Sequence, residues 1–164
     1  TDSTDGYAPD DAVLEGIDGK LYGTAMAGGR STGDGTLFAI TTDDSFELLG
    51  FFGESLGRKP VGALVQDPDG NLYGTTFSGG AALGGTAFRM TPDRRLAPGY
   101  AFDFSLDGGF YRQLVFGSDG RLYGTASAGG VGNGGTLFGL GARRAGIAPW
   151  RRRQRSSAAA APLE

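Results

Sequence analysis

The side chains able to do chemistry in this chain are carboxylates, hydroxyls and guanidinium groups, because it contains no His and no Cys. That excludes Ser–His–Asp catalysis, thiolate zinc sites, cysteine nucleophiles and disulfides. Acid–base work would fall to carboxylate pairs, and glycoside hydrolysis needs two that converge. Asp43 and Asp44 are adjacent, but the sequence places them in an exposed turn. Catalytic carboxylates want a partly buried cleft that drives their pKa values apart. The run Asp67-Pro68-Asp69-Gly70-Asn71 is oxygen-rich like a calcium loop. An EF-type loop needs glycine at position six and glutamate at position twelve. Here glycine is fourth and the twelfth residue is Ser78, so a turn is expected. Gly-Gly pairs at Gly28, Gly79 and Gly129 resemble phosphate cradles, yet each leads to a Thr-x-Phe strand pattern rather than the helix N-terminus a phosphate loop requires. No catalytic residue, metal site or cofactor is assigned.

Composition and charge narrow the class further. Of 164 residues, 32 are Gly, yet the chain is 39% hydrophobic with eleven Phe and six Tyr. Disordered chains rarely carry so many aromatics, so the glycine must be patterned. Residues 1–140 hold nine Lys/Arg against seventeen Asp/Glu, and residues 141–164 hold six Arg against one Glu. An acidic body repels phosphate backbones, so no nucleic-acid partner is expected. No apolar run approaches the ~18 residues of a membrane span. Residues 141–164 read as an Arg/Ala-rich flexible tail.

These residues must be positioned by a repeat. Leu-Tyr-Gly-Thr occurs at Leu21–Thr24, Leu72–Thr75 and Leu122–Thr125, each preceded by Asp-Gly and followed by Gly-Gly. Gly-Thr-x-Phe then recurs at Gly35–Phe38, Gly85–Phe88 and Gly135–Phe138. In the second copy, Val61–Gln66 is apolar and ends at an Asp-Gly hairpin signal. Asn71–Phe77 is β-favouring, Gly85–Thr91 returns after the glycine loop, and Leu96–Phe104 carries Tyr100, Phe102 and Phe104 at alternating positions. Four antiparallel strands, A to D, in about 50 residues are the signature of a propeller blade. The expected fold is all-β: a β-propeller-like array of three four-stranded antiparallel blades, a partial ring, over residues 1–140. The copies span about 12–60, 61–110 and 111–140, and the third is incomplete. In Leu-Tyr-Gly-Thr, Leu and Gly should face one way and Tyr and Thr the other. The glycine is expected to admit the next sheet closely.

Asp-Gly-x-Leu-Tyr-Gly-Thr, then Gly-Gly, then Gly-Thr-x-Phe resembles the Gloeo–Verruco tandem repeat. That repeat occurs in bacterial proteins described as choice-of-anchor. The resemblance implies a secreted or cell-surface β-repeat protein and brings no catalytic residues. Beyond Phe138 the sequence departs from the pattern, and no apolar anchor follows.

Three blades are too few to close a ring, since propellers typically have 4–8. The chain is therefore expected to be an excerpt of a longer array, continued by further repeats, or to complete itself as a homo-oligomer. A binding site belongs where copies differ, on the face shared by B–C loops and D–A connections. That nominates Arg30 and Asp34, then Glu54, Arg58 and Lys59, then Phe110, Tyr111 and Arg112 as ligand contacts. The expected role is a noncatalytic extracellular module for recognition or structure, its partner a protein or glycan ligand. The alternatives are a secreted carbohydrate-active or lyase-like propeller using carboxylates, and a self-assembling partial propeller.

Overall fold

The computed structural model describes residues 5–9, 12–29, 33–107, 111–129 and 134–141, with the side chains of 105, 106, 111 and 112 excepted. The expected tail, Arg30 and Phe110 lie outside them. Three antiparallel sheets follow one another along the chain. The first contains β1 (Tyr7–Pro9), β2 (Leu14–Glu15), β3 (Leu21–Ala27), β4 (Thr36–Ile40) and β5 (Phe46–Phe51). The second is β6 (Arg58–Gln66), β7 (Leu72–Ser78), β8 (Leu83–Met90) and β9 (Leu96–Asp103). One helical turn, α1 (Phe104–Asp107), leads to the third: β10 (Tyr111–Phe116), β11 (Arg121–Ala126) and β12 (Thr136–Gly141). The second sheet runs β6-β7-β8-β9, the A-to-D order of a propeller blade. The sheets do not close on one another, so the molecule is a partial propeller.

Strand A begins earlier than its apolar run suggests. Arg58 pairs with Ser78 and Pro60 with Thr76, and in the first sheet Tyr7 pairs with Ala27 and Pro9 with Ala25. So β1 and β2 together are the first blade's strand A. The register shift between Val61 and Val65 is its counterpart in the second. In the third, Tyr111 opposite Ala126 takes the place of Pro60.

The second blade buries both faces of its central strands. Leu72 pairs with Met90 and Gly74 with Phe88, so these four share a face; Tyr73 and Thr75 point to the other. Leu72, Phe88 and Met90 pack with Tyr22, Leu37 and Ala39 of the first blade. Tyr73 and Ala87 pack with Leu122, Phe138 and Leu140 of the third. The Leu face of each blade therefore meets the Tyr face of the one before. An edge-to-face aromatic pair marks both junctions, Phe52 on Phe88 (centroids 4.9 Å apart) and Phe102 on Phe138 (5.1 Å).

The glycine of Leu-Tyr-Gly-Thr has a different purpose from the one expected. A Cβ on Gly74 would sit 2.5 Å from Cζ of Phe88, the residue paired with it on its own sheet, and Gly23 and Gly124 stand likewise to Phe38 and Phe138. The glycine makes room for a phenylalanine lying across its own blade. Close approach of the next blade occurs instead at Gly50, where a Cβ would meet Leu96 at 2.7 Å. Gly35, Gly85 and Gly135, which open strand C, all have positive φ of 90–106°, and a Cβ on each would strike a strand B carbonyl.

Candidate functional site

Most recurring polar side chains are consumed by the blade itself. Tyr22 donates its hydroxyl to Asp18 (2.7 Å) and Tyr123 to Asp119 (2.7 Å). In the second copy Tyr73 donates to Asp67 instead (2.9 Å), two residues before the aspartate that recurs in sequence. Gly16 and Gly117 occupy the position of Asp67, and a Cβ on either would press on the tyrosine ring at 2.5–2.6 Å. Two arrangements thus latch the same ring: glycine with the later aspartate, or the earlier aspartate alone. Burial, then the bond to Asp18, pushes the Tyr22 hydroxyl up to about 12. Burial and Asp67 raise Tyr73 as well. The bond from Tyr123 holds Asp119 below the ordinary carboxylate range.

The threonine of Gly-Thr-x-Phe is equally occupied. Thr36 donates to the carbonyl of Asp5 (3.1 Å), Thr86 to that of Leu56, and Thr136 to that of Asp107 (2.7 Å). Each bond ties the segment entering a blade to that blade's third strand. Asp43 lies in the exposed Thr41–Ser45 turn, where the Thr41 hydroxyl lowers its pKa. That direction is the opposite of what a catalytic acid needs. Asp67 spends both carboxylate oxygens on Asn71, Tyr73 and the backbone of its own turn. Among the described residues no three His, Cys, Asp or Glu are grouped to hold a metal.

Four of the residues nominated for differing between copies, Asp34, Glu54, Arg58 and Lys59, converge at the first junction. Arg58, opening β6, lies with Nε 3.5 Å from Asp34 Oδ1 and bridges Glu54 through its terminal nitrogen. The Lys59 amide donates to the Asp34 carbonyl (2.8 Å). Lys59 has a positive φ of 54°, but Ala8, its counterpart in the first blade, shares it at 57°, so that strain belongs to the fold. Asp34 is only 8% exposed, and its Oδ2 is buried with no hydrogen-bond partner among the described residues. The later copies place Gly84 and Gly134 at this position. Beside the cluster an open depression of about 650 Å3 is lined by Phe51, Phe52, Glu54, Ser55, Leu56 and Gly80. Tyr111 and Arg112 lie at the start of β10, at the second junction, so they are not part of this cluster.

A second cleft, of about 300 Å3, was not anticipated. It lies on the opposite face between the first two blades, lined by Asp18, Lys20, Tyr22, Glu47, Gln66 and Arg94 among others. Glu47 accepts from Lys20 (3.0 Å) and from Arg94 of the next blade. These two contacts, Lys20's first, hold its carboxyl below the usual range. Glu47 has Ala97 at its position in the second copy, so the rule that found Asp34 and Arg58 would have found it had it been applied to both faces.

Three blades stacked Leu face to Tyr face, with one-off charged clusters at their junction, define an open β-propeller repeat module. The chain belongs to the Gloeobacter/Verrucomicrobia repeat family, whose profile matches residues 1–148. No curated protein matches the sequence. Among solved structures it is similar to a virginiamycin B lyase from Staphylococcus aureus at 14% identity and a TM-score of 0.59, covering 88% of this chain and 40% of that one. A putative gluconolactonase gives 18%, 0.55, 88% and 47%, and a streptogramin B lyase 13%, 0.57, 88% and 39%. At such identity the likeness is one of fold. The chain spans less than half the length of each.

Proposed function

We propose that this propeller module is a noncatalytic recognition element, displayed outside the bacterial cell, and that it binds a hydroxyl-rich glycan at the first blade junction. The observation that carries the reading is the Asp34–Arg58–Glu54 cluster. It is built once, whereas the Tyr–Asp and Thr–carbonyl bonds of the array recur in every blade. Glu54 and Arg58, the exposed members, offer an acceptor and donors to sugar hydroxyls, and buried Asp34 holds Arg58 in place. Phe51, partly exposed at the wall of the adjoining depression, suits the apolar face of a sugar ring. The occupied tyrosines and threonines leave little acid–base machinery, which favours binding over turnover. Its place outside the cell rests on the resemblance to choice-of-anchor proteins.

A glycan array run with the wild type, Asp34→Asn and Arg58→Ala tests this. Retention by the wild type, weakened at least tenfold in both variants and without turnover in a hydrolase and lyase panel, is expected. Turnover of any glycan, or binding that neither substitution alters, overturns it.

A further inference from the structure

The loop joining strands B and C of the second blade presents a leucine where the backbone favours glycine. Leu83 has a φ of 61°, in the left-handed region that bulky side chains avoid. Its counterpart in the first blade is Gly33, at 62°. Each precedes the residue bridged to the first glycine of its loop, Gly84 to Gly79 and Asp34 to Gly28. The third copy has Asn133 there in sequence, and Gly and Asn are types that accept this conformation. The other non-glycine residues with positive φ among the described residues form matched pairs, Ala8 with Lys59 and Asp44 with Arg94. Leu83 alone departs from its counterpart. Packing does not ask for the side chain: a Cβ on Gly33 would meet nothing within 4 Å, and Leu83 is 70% exposed. Strain kept at an exposed position points to a purpose outside the fold.

The same loop borders the candidate glycan site. Gly80 donates its amide to the Glu54 carbonyl (2.7 Å), and Gly80 and the exposed Ala81 line the depression. Leu83 donates to the Gly80 carbonyl (3.1 Å) and pairs with Asp103. The next residue, Phe104, is 59% exposed. Outward from Glu54 and Arg58, the surface therefore turns from charged to apolar within one loop. Leu83 and Phe104 together offer roughly 200–300 Å2 of open apolar surface. That is far below the ~800 Å2 a side of a stable protein interface, but it suits an alkyl chain. Glu54 and Asp103 flank the strip, which disfavours an anionic membrane surface as its occupant. We infer that the glycan held at the first junction carries an apolar substituent, an acyl or alkyl chain, that lies over Ala81 and Leu83 toward Phe104. This rests on the glycan reading of the Glu54–Arg58 cluster and narrows it to an amphiphilic glycan.

The test is a nuclear magnetic resonance titration of the 15N-labelled full chain with methyl, hexyl and octyl β-D-glucopyranosides, each below its micelle-forming concentration. The variant is Leu83→Gly, which restores the residue of the first copy, removes the apolar side chain and relieves the backbone. In the wild type, binding should tighten about fourfold for every two methylene groups added, as half-burial of each would give. The amides of Gly80 to Leu83 should shift. In Leu83→Gly the gain per two methylene groups should fall below about twofold, and the urea midpoint should be no lower than that of the wild type. Absence of octyl glucoside binding at ~10 mM overturns the inference. So does tightening that is missing from the wild type or undiminished in Leu83→Gly, and so does a lowered urea midpoint, which would make the leucine a packing residue. The glycan reading is judged separately, on the array with Asp34→Asn and Arg58→Ala. Array binding that those two variants abolish, with no dependence on chain length here, overturns the apolar substituent alone. A dependence on chain length that Leu83→Gly removes supports the apolar subsite even where the array overturns the glycan reading.

Discussion

Replacing Asp67 separates the two ways of latching the buried tyrosine. In the wild type Asp67 accepts from the amides of Asp69 (3.0 Å) and Asn71 (2.8 Å), from Asn71 Nδ2 (2.8 Å) and from the Tyr73 hydroxyl (2.9 Å). Asp67→Ala removes all four acceptor contacts. Withdrawing the acceptor from a polar group as buried as Tyr73 costs about 1–3 kcal/mol, and the turn bonds add roughly 1. A loss of about 2–4 kcal/mol is expected. Asp67→Gly removes the same contacts but recreates the first and third copies, where glycine lets the later aspartate reach the ring. Asp69 should then take the part of Asp18 and Asp119. The cost should fall to about 1 kcal/mol, mostly the added freedom of glycine in the unfolded chain. Urea unfolding followed by circular dichroism resolves the difference, which corresponds to roughly 2–4 °C in Tm per kcal/mol. Asp69→Ala alone should cost little. In the Asp67→Gly background it should restore the full loss, giving a coupling of about 1 kcal/mol or more. Asp67→Gly proving as costly as Asp67→Ala, or an additive cycle, would refute the two-latch reasoning.

Three further outcomes are expected. Thr86→Val should destabilise by about 1–2 kcal/mol in urea, because it strands the Leu56 carbonyl at a buried site, whereas Thr91→Val in an exposed turn should change stability by less than about 0.5. Glu47 is held below its ordinary value by Lys20 and Arg94, so its contribution is fully present above about pH 4.3 and is lost as pH falls toward the depressed folded value. Acid titrations of stability should be shallower in Glu47→Gln, and the gap between the two proteins should shrink in ~1 M salt. Tyr22 is raised from 10.0 to about 12, so its bonded hydroxyl stabilises fully below pH 10 and loses that effect as pH rises through the folded value. Phenolate absorbance should show one fewer tyrosine titrating near pH 12 in Tyr22→Phe, and its stability should fall less between pH 10 and 12.

The strands were legible because the landmarks that end them carry their own backbone requirements. Asp-Gly demands a positive φ at Gly19, Gly70 and Gly120, and each has it. What the pattern hid were relations between copies. Tyr7-Ala8-Pro9 lacks alternation and contains a proline, so nothing local marks it as strand; only pairing with Ala25 and Ala27 does. The glycine before Thr24, Thr75 and Thr125 looked like space for a neighbouring sheet, because a sequence does not say which phenylalanine lies across which strand. At the candidate site, Asp34, Glu54 and Arg58 were found by asking where copies disagree, and the fold brings them together. The Lys20–Glu47–Arg94 bridge escaped because its partners come from three turns and strands of two blades, and its longest bond spans 47 residues.

Because every junction joins the same two kinds of face, the stability of such an array is counted in junctions rather than in blades. Three blades in a row share two, so the middle blade is clamped from both sides while each outer blade is held from one. Opening is then graded: an outer blade can detach by breaking a single junction, and the middle blade cannot leave without breaking both. In a closed ring there are as many junctions as blades and no outer member, so the first blade to leave must break two at once. Closure would therefore turn a molecule that frays from its ends into one that melts as a unit.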